Sequence, residues 1–168
     1  RHTLGAVAFA KPGRTGFERL ELARKLVSEA LKPGVAKLCC HVDGLAANEA
    51  GEWREALVSA ALAAAAPMPT HKAKAPPPCS LRTIEVFGAG SRDFDAAVAA
   101  AAGNHLARWL TTLPPNELHC VNYRRALQEL ARREGWSFRC YDERALARLG
   151  AGAFLAVSRA NAHRGAGI

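Results

Sequence analysis

Two glycines and an aspartate stand where a phosphate-binding turn would begin, between a predicted strand and a predicted helix. Gly88 and Gly90 match the GxG half of the dinucleotide-binding pattern, in which backbone amides cradle a pyrophosphate. Asp93 occupies the position of the third glycine, and no second strand ending in an acidic residue follows about twenty residues later. The pattern therefore favours a tight turn over a dinucleotide site.

His41 and Asp43 lie at the end of another predicted strand and are candidate metal ligands. A metal site needs further ligands at suitable spacing, and the sequence contains neither an HExxH motif nor a second His/Asp/Glu cluster of that kind. It also lacks the GxSxG motif of a serine nucleophile. We interpret His41 as a polar residue at a strand end, and we predict no catalytic residue and no metal-binding residue in this chain.

The cysteines predict reduced thiols rather than a disulfide framework or a structural zinc site. Their number is odd, no CxxC pair occurs, and two of them are adjacent in the sequence. Free thiols are typical of a cytosolic or organellar protein. The five residues are Cys39, Cys40, Cys79, Cys120 and Cys140.

The positive charge of the chain leaves two interpretations open. The net charge is +8, from 23 basic and 15 acidic residues, and a basic surface can contact nucleic acid. The arginines are interleaved with acidic residues, however, so a solvated surface is the more economical interpretation. The same choice applies to one helix, where Glu129 and Glu134 accompany the basic residues Arg124, Arg125, Arg132 and Arg133.

The elements that must position these residues alternate in the first two thirds of the chain. Apolar periodicity, glycines and prolines predict strands and helices in the order of an α/β layered domain. We expect strands at 4–10, 35–42 and 81–87, helices at 16–31, 48–66 and 94–112, and an extended proline-rich segment at 67–78. Asn48 is the predicted N-cap of the second helix.

A pair of prolines marks the end of this domain. Because a residue before proline avoids the helical region, we expect the third helix to stop at Leu113. A second α/β unit then follows, with a helix closed by Gly135, a strand at 136–142, a short helix at 143–149 and an apolar segment at 152–157. The predicted domains are residues 1–112, and residues 113–168 as an incomplete second domain.

Two negative features concern targeting. No apolar run approaches the roughly 20 residues of a membrane span, so we expect no membrane association. The chain begins at Arg1 without a methionine or a signal-peptide pattern, so we expect that it is not a whole gene product.

Residues 104–161 resemble the leucyl aminopeptidase (cytosol aminopeptidase) family. The matching motifs are Ala-Arg-Trp-Leu at 107–110, Leu-Pro-Pro-Asn at 113–116, Leu-Gly at 149–150 and Leu-Ala-Val at 155–157. The first 106 residues are similar to the family's N-terminal domain mainly in the order of their elements. One departure is the pair His119 and Cys120, which stands where the family commonly begins a helix with Thr-Pro.

The resemblance implies a macro-domain-like α/β fold for the N-terminal domain, followed by the first elements of a peptidase domain. It implies a full-length enzyme that removes N-terminal residues from peptides with two divalent metal ions, zinc or manganese, which activate water and polarise the scissile carbonyl. It also implies a homo-hexamer, in which the N-terminal domain serves assembly and access, and a cytoplasmic location, with an organelle as the alternative.

The family's catalytic and metal-binding residues lie downstream of the Leu-Ala-Val segment. None of them can be assigned to this chain, so we expect residues 1–168 alone to bind no catalytic metal and to expose the apolar segment 152–157. The alternative hypothesis is an aminopeptidase-like structural subunit of a large assembly, such as a ribonucleoprotein, without activity. A further alternative is nucleic-acid binding by the N-terminal domain itself.

Overall fold

The computed structural model describes residues 3–75, 77–88, 90, 93–160 and 165–167. The chain divides into two compact units, Arg1–Trp109 and Leu110–Ile168. Helices together with a small parallel sheet give the mixed α/β architecture that the sequence predicts.

Helix α1, Gly16–Leu31, has the predicted bounds because both of its ends are specified locally. The Thr15 hydroxyl accepts a hydrogen bond from the Glu18 amide, and the Glu18 carboxylate accepts one from the Thr15 amide, which completes a capping box. After the helix, Gly34 has a φ of 73°, a left-handed conformation that favours glycine.

The sheet belongs to a strand–helix–strand unit. Strand β1, Lys37–Cys40, is followed by helix α2, Ala47–Ala65, and by strand β2, Thr83–Val86. The two strands pair in parallel, with Leu38 opposite Ile84 and Cys40 opposite Val86. Both strands are shorter than the predicted segments 35–42 and 81–87.

One face of the sheet carries the core of the first unit. Strand β1 alternates between exposed and buried residues, as a strand covered on one side does. Strand β1, helices α1 and α2, and Leu81 just before β2 supply a buried cluster made of Ala23, Val27, Leu38, Cys40, Leu57, Ala60, Ala61 and Leu81. On the opposite face, Lys37 and Glu85 form an ion pair across the strands at 2.5 Å.

The predicted strand at residues 4–10 is wrong. This segment is in no strand, and Leu4, Val7 and Phe9 are 59%, 80% and 96% exposed. Its first residues lie instead across a shallow groove from Leu22 and Leu26 of α1. An apolar run specifies a strand only when a neighbouring strand accepts its backbone hydrogen bonds, and the run itself does not encode that partner.

The remaining elements of the first unit follow the sequence closely, with one correction at a helix end. Ala46, not Asn48, is the N-cap of α2, and it provides no side-chain hydrogen bond. The described residues of the proline-rich segment at 67–78 contain no helix or strand, as predicted. Helix α3, Asp95–Thr112, stops immediately before Leu113, as the following prolines require.

The second unit consists of short helices joined by turns. The corner after α3 is closed by hydrogen bonds from the amides of Glu117 and Leu118 to the carbonyl of Pro114, both at 2.9 Å. Helix α4, Cys120–Glu134, ends at Gly135 with a φ of 69°, as predicted. Helices α5, Glu143–Arg148, and α6, Gly152–Ser158, follow.

The predicted strand at residues 136–142 is also wrong. Its one sheet-like contact among the described residues is an isolated antiparallel bridge between Asp142 and Gly167. Trp136 is 62% exposed, so the alternating pattern of this segment is not matched by a covered face. The alternation makes a strand amphipathic, but it does not provide a neighbouring strand.

None of the helices in the described part of the chain combines the length and the apolar character needed to cross a membrane.

Candidate functional site

The carboxyl ends of the two paired strands form the most distinctive polar region of the first unit. Beyond β2, the amide of Phe87 donates to the carbonyl of Cys40 at 2.9 Å. The backbone segments that leave β1 and β2 therefore remain adjacent where the strands end. The turns that lead to α2 and α3 therefore begin side by side. In open α/β sheets, ligands bind in the crevice at this edge.

Arg54 of α2 lies at both of these turns. One terminal nitrogen of its guanidinium donates to the carbonyl of Val42 at 3.3 Å. The same nitrogen lies only 3.1 Å from the position that a Cβ atom at Gly88 would occupy. We call Val42, Arg54 and Gly88 the strand-end site, because the arginine reaches the chain beyond each strand.

Gly88 has two reasons to be glycine. Its φ is 69°, which other residues rarely adopt, and a Cβ atom at this position would crowd the Arg54 guanidinium at 3.1 Å. Gly90, two residues later, has a φ of 62°. The tight turn predicted at 87–93 is therefore supported at both glycines, whereas Ala89, Ser91 and Arg92 lie outside the described residues.

The charge of Arg54 is not compensated within the described part of the chain. No described carboxylate forms an ion pair with it, and its Nε atom is buried without a hydrogen-bond partner. Asp43, in the neighbouring turn, instead accepts a hydrogen bond from the amide of Gly44 at 2.8 Å. The strand-end site can therefore attract a negative group, but it contains no nucleophile paired with a base.

His41 and Asp43 do not become a metal site in the structure. His41 is exposed, next to the buried Cys40 in the alternating pattern of β1. Across the described residues, no three His, Cys, Asp or Glu side chains are placed to hold a metal ion. The described residues therefore do not fit a two-metal centre.

All five cysteines are free thiols, in agreement with the sequence-based prediction. Burial raises the pKa of the Cys40 thiol, with a smaller contribution from neighbouring Cys39, and so disfavours its reactive thiolate form. Cys39 is exposed on the polar face of the sheet, where its sulfur lies 3.8 Å from a carboxylate oxygen of Glu85.

The arginines of α4 are partly neutralised by their neighbours. Arg132 pairs with Glu129 at 2.6 Å and Arg133 with Glu134 at 2.9 Å, and all four side chains are well exposed. These pairs are what a solvated helix face is expected to form. Binding of nucleic acid to this helix stays an untested hypothesis.

No sequence pattern singles out Arg54 as a functional residue. It is one charged residue among many on a helix, and its sequence neighbours Trp53 and Leu57 are what identify the buried side of α2. The signal that could have located Arg54 is its position along helix α2. A long basic side chain in the third turn of a helix can fold back toward the end of the preceding strand and reach the turn beside it.

Comparison with solved structures identifies the fold. A mutant of tomato leucine aminopeptidase matches with a TM-score of 0.74 and 17% sequence identity, over 92% of this chain and 32% of that chain. The bottromycin maturation enzyme BotP in complex with Mn matches with a TM-score of 0.72 and 22% identity, over 90% and 32% of the two chains. A second structure of BotP gives a TM-score of 0.68.

These likenesses support the family resemblance at the level of the fold alone, because sequence identity is low. The chain spans about a third of the length of the solved structures that it matches. Neither a model of a protein family nor a curated protein sequence matches it. The chain therefore shares the fold of about a third of tomato leucine aminopeptidase and of BotP.

Proposed function

We propose that this chain is the non-catalytic N-terminal portion of a two-metal leucyl-type aminopeptidase. The observation that carries this proposal is the fold shared with tomato leucine aminopeptidase over 92% of the chain. The Leu-Pro-Pro-Asn corner at 113–116 and the Leu-Ala-Val segment at 155–157 support it independently, because they are local motifs and not properties of the overall fold.

Within this proposal, residues 1–112 are the macro-like N-terminal domain and residues 113–168 are the start of the peptidase domain. Two zinc or manganese ions would be held by residues outside this chain, because the resemblance places the family's ligands downstream of the Leu-Ala-Val segment. Three carboxylates of the second unit also have other roles. Glu129 and Glu134 pair with arginines, and the Asp142 side chain caps α5 by accepting from the amide of Ala145 at 2.8 Å. The Mn bound in BotP agrees with metal use among proteins of this fold.

The partners and the location belong to the same proposal. The whole enzyme would act on the N-termini of peptides, assemble as a homo-hexamer and work in the cytoplasm. The fold likeness does not favour the alternative, a structural subunit without activity.

The test is to isolate the native protein with an antibody raised against residues 1–168. Its mass is measured by mass spectrometry, its bound metal by elemental analysis, and its activity by release of leucine from a leucyl amide. We expect a chain about three times as long as this one, judged from the coverage of the solved structures, with manganese- or zinc-dependent activity. Activity should disappear with a chelator and return with added metal.

Two controls make this experiment decisive. Immune-depleted extract shows whether the activity follows the protein, and recombinant residues 1–168 show whether the chain alone has activity. A native protein of any length without metal and without leucyl-amide hydrolysis would contradict the proposal. Activity in recombinant residues 1–168 would contradict the non-catalytic role.

A further inference from the structure

We propose that the strand-end site of Val42, Arg54 and Gly88 binds a small oxyanion, with the Arg54 guanidinium as its principal ligand. Phosphate groups and carboxylates share this chemistry, since both present paired oxygens to the fork of an arginine. The proposal concerns the first unit alone, and it does not depend on the peptidase function.

The positive charge of the Arg54 guanidinium has no partner of opposite charge among the described residues. A guanidinium has five N–H donors, and the single hydrogen bond from Arg54 to the carbonyl of Val42 is long at 3.3 Å. The Nε atom is buried and has no partner. The Nε atom is closed to solvent, so a ligand would bind at the terminal N–H groups. Since removing a charge and its donors from water is costly unless they are paired, an anion bound there would supply the acceptor that the described residues do not.

The Arg54 guanidinium is accessible to a small molecule. Gly88 is exposed and Arg54 is only partly buried, so a small molecule in solvent can reach the guanidinium. The lack of a side chain at Gly88 keeps the space beside one terminal nitrogen open. The position is also the edge at which parallel sheets bind ligands. Charge, access and topology therefore coincide at one place.

Replacement of Arg54 distinguishes a role in anion binding from a purely structural role. If Arg54 serves only to fasten the turn, its hydrogen bond to the carbonyl of Val42 stabilises the folded chain. Replacement by methionine, which fills similar space without charge, should then lower stability. For an anion site, the same replacement should leave stability unchanged or higher without ligand and should remove binding.

Acidic residues near Arg54 determine how tightly the strand-end site is expected to bind an anion. Asp43 and Asp93 belong to the same two turns, and neither forms an ion pair with Arg54 among the described residues. Their charges oppose an anion, so binding should be weak and should tighten when one of them is neutralised. Asp43→Asn is a suitable variant, because an amide oxygen can still accept from the Gly44 amide as the carboxylate does at 2.8 Å.

The experiment titrates the full chain with inorganic phosphate and, separately, with acetate at constant ionic strength, while NMR follows the amides of Gly44 and Gly88. Arg54→Met and Arg54→Gln should weaken binding about tenfold or more, the loss expected for hydrogen bonds to a charged group. Arg24→Gln is the matched control, because Arg24 is an exposed arginine on α1. Asp43→Asn should tighten binding.

The proposal is overturned if neither anion shifts these amides, or if Arg54→Met binds phosphate as the unsubstituted chain does. An equal loss in Arg24→Gln would mean an adventitious ion only and would also overturn it. If both Arg54 variants fail to fold, Asp43→Asn decides the question. Tighter binding supports the site, and unchanged binding contradicts it. The phosphate and acetate titrations together identify which oxyanion the site prefers.

Discussion

The two compact units use their apolar residues in different ways. In the first unit, Arg1–Trp109, two helices cover one face of the sheet, and eight buried residues form a continuous cluster. In the second unit, Leu110–Ile168, the described apolar residues that are buried are Ala131, Leu146 and Ala166. Two of these three are alanines, which contribute little apolar area when they are buried.

The difference shows what the second unit lacks. Its helices α5 and α6 have six and seven residues, and isolated helices shorter than about 12 residues are marginal in water. Val157 in α6 is 77% exposed and Leu149 is 66% exposed. The expectation that residues 152–157 present apolar surface is therefore met at Val157, whereas Phe154 and Leu155 are half-buried. We infer that the first unit provides most of the stability of this chain.

The strongest way to test this difference is to truncate one leucine in each unit. Leu57→Ala removes a side chain that is 9% exposed and belongs to the buried cluster, so it should lower the free energy of unfolding by about 2–5 kcal/mol. Leu149→Ala removes a side chain that is 66% exposed, and it should change the free energy by about 0.5 kcal/mol or less. Urea unfolding monitored by circular dichroism measures both values.

Equal losses in these two variants would show that the second unit is as well packed as the first, and the inferred difference would be wrong. Hydrogen exchange adds an independent measurement. Amides of α1 and α2 should exchange far more slowly than those of α5 and α6, since short helices with few buried contacts open locally.

The sequence predicted the ends of helices better than it predicted strands, because helix ends are set by local signals. The capping box at Thr15 and Glu18 fixes the start of α1, and Pro114 fixes the end of α3. Both errors in strand prediction, at 4–10 and at 136–142, concern segments with strand-like patterns that pair with no strand among the described residues. Pairing is a property of the tertiary structure, and no local pattern specifies it.

The strand-end site could be predicted only in part. The glycines of the turn at 87–93 were evident from the sequence, and their positive φ angles agree with it. The contribution of Arg54 depends on the parallel register, which brings the turns after β1 and β2 together across 46 residues of sequence. A residue that joins two turns distant in sequence becomes visible only when the topology is known.

A smaller test compares the helix caps of the two units. The Thr15 hydroxyl accepts from the Glu18 amide at 3.3 Å, and the Asp142 carboxylate accepts from the Ala145 amide at 2.8 Å. Thr15→Ala should lower the free energy of unfolding by about 1 kcal/mol, the usual value for an N-cap. Asp142→Ala should instead increase hydrogen exchange in α5 with little change in global stability, since α5 has six residues. A larger global loss for Asp142→Ala would reverse the comparison.

A third test uses one ion pair from each unit. Arg19 and Glu52 lie 2.7 Å apart, and the Arg19 side chain is only 16% exposed, whereas Arg132 is 75% exposed beside Glu129. Glu52→Gln should lower the free energy of unfolding by roughly 0.5–1 kcal/mol, at the upper end of the range for surface pairs. Glu129→Gln should cause no measurable loss, because many exposed pairs contribute nothing. The midpoint of urea unfolding measures both losses. Equal losses would mean that burial of Arg19 does not make its ion pair more stabilising than that of Arg132.

The smallest expected effect is the pH dependence of the α1 capping box. Hydrogen bonds from the backbone amide and the hydroxyl of Thr15 lower the pKa of the Glu18 carboxyl. A carboxyl whose pKa is lower in the folded chain stabilises it above the ordinary pKa of the unfolded chain, about 4.3, and this contribution is lost as pH falls through the folded value. Glu18→Gln imitates the protonated group, so its melting temperature should be lower than that of the unsubstituted chain at pH 7. The difference should shrink below about pH 4 as Glu18 itself becomes protonated.

Arg132 likewise lowers the pKa of Glu129 in the second unit. There we expect NMR chemical shifts to report the titration of Glu129, without a change in the melting temperature. A melting-temperature difference for Glu18→Gln that is constant from pH 7 to pH 3 would show that the charge of Glu18 does not stabilise α1.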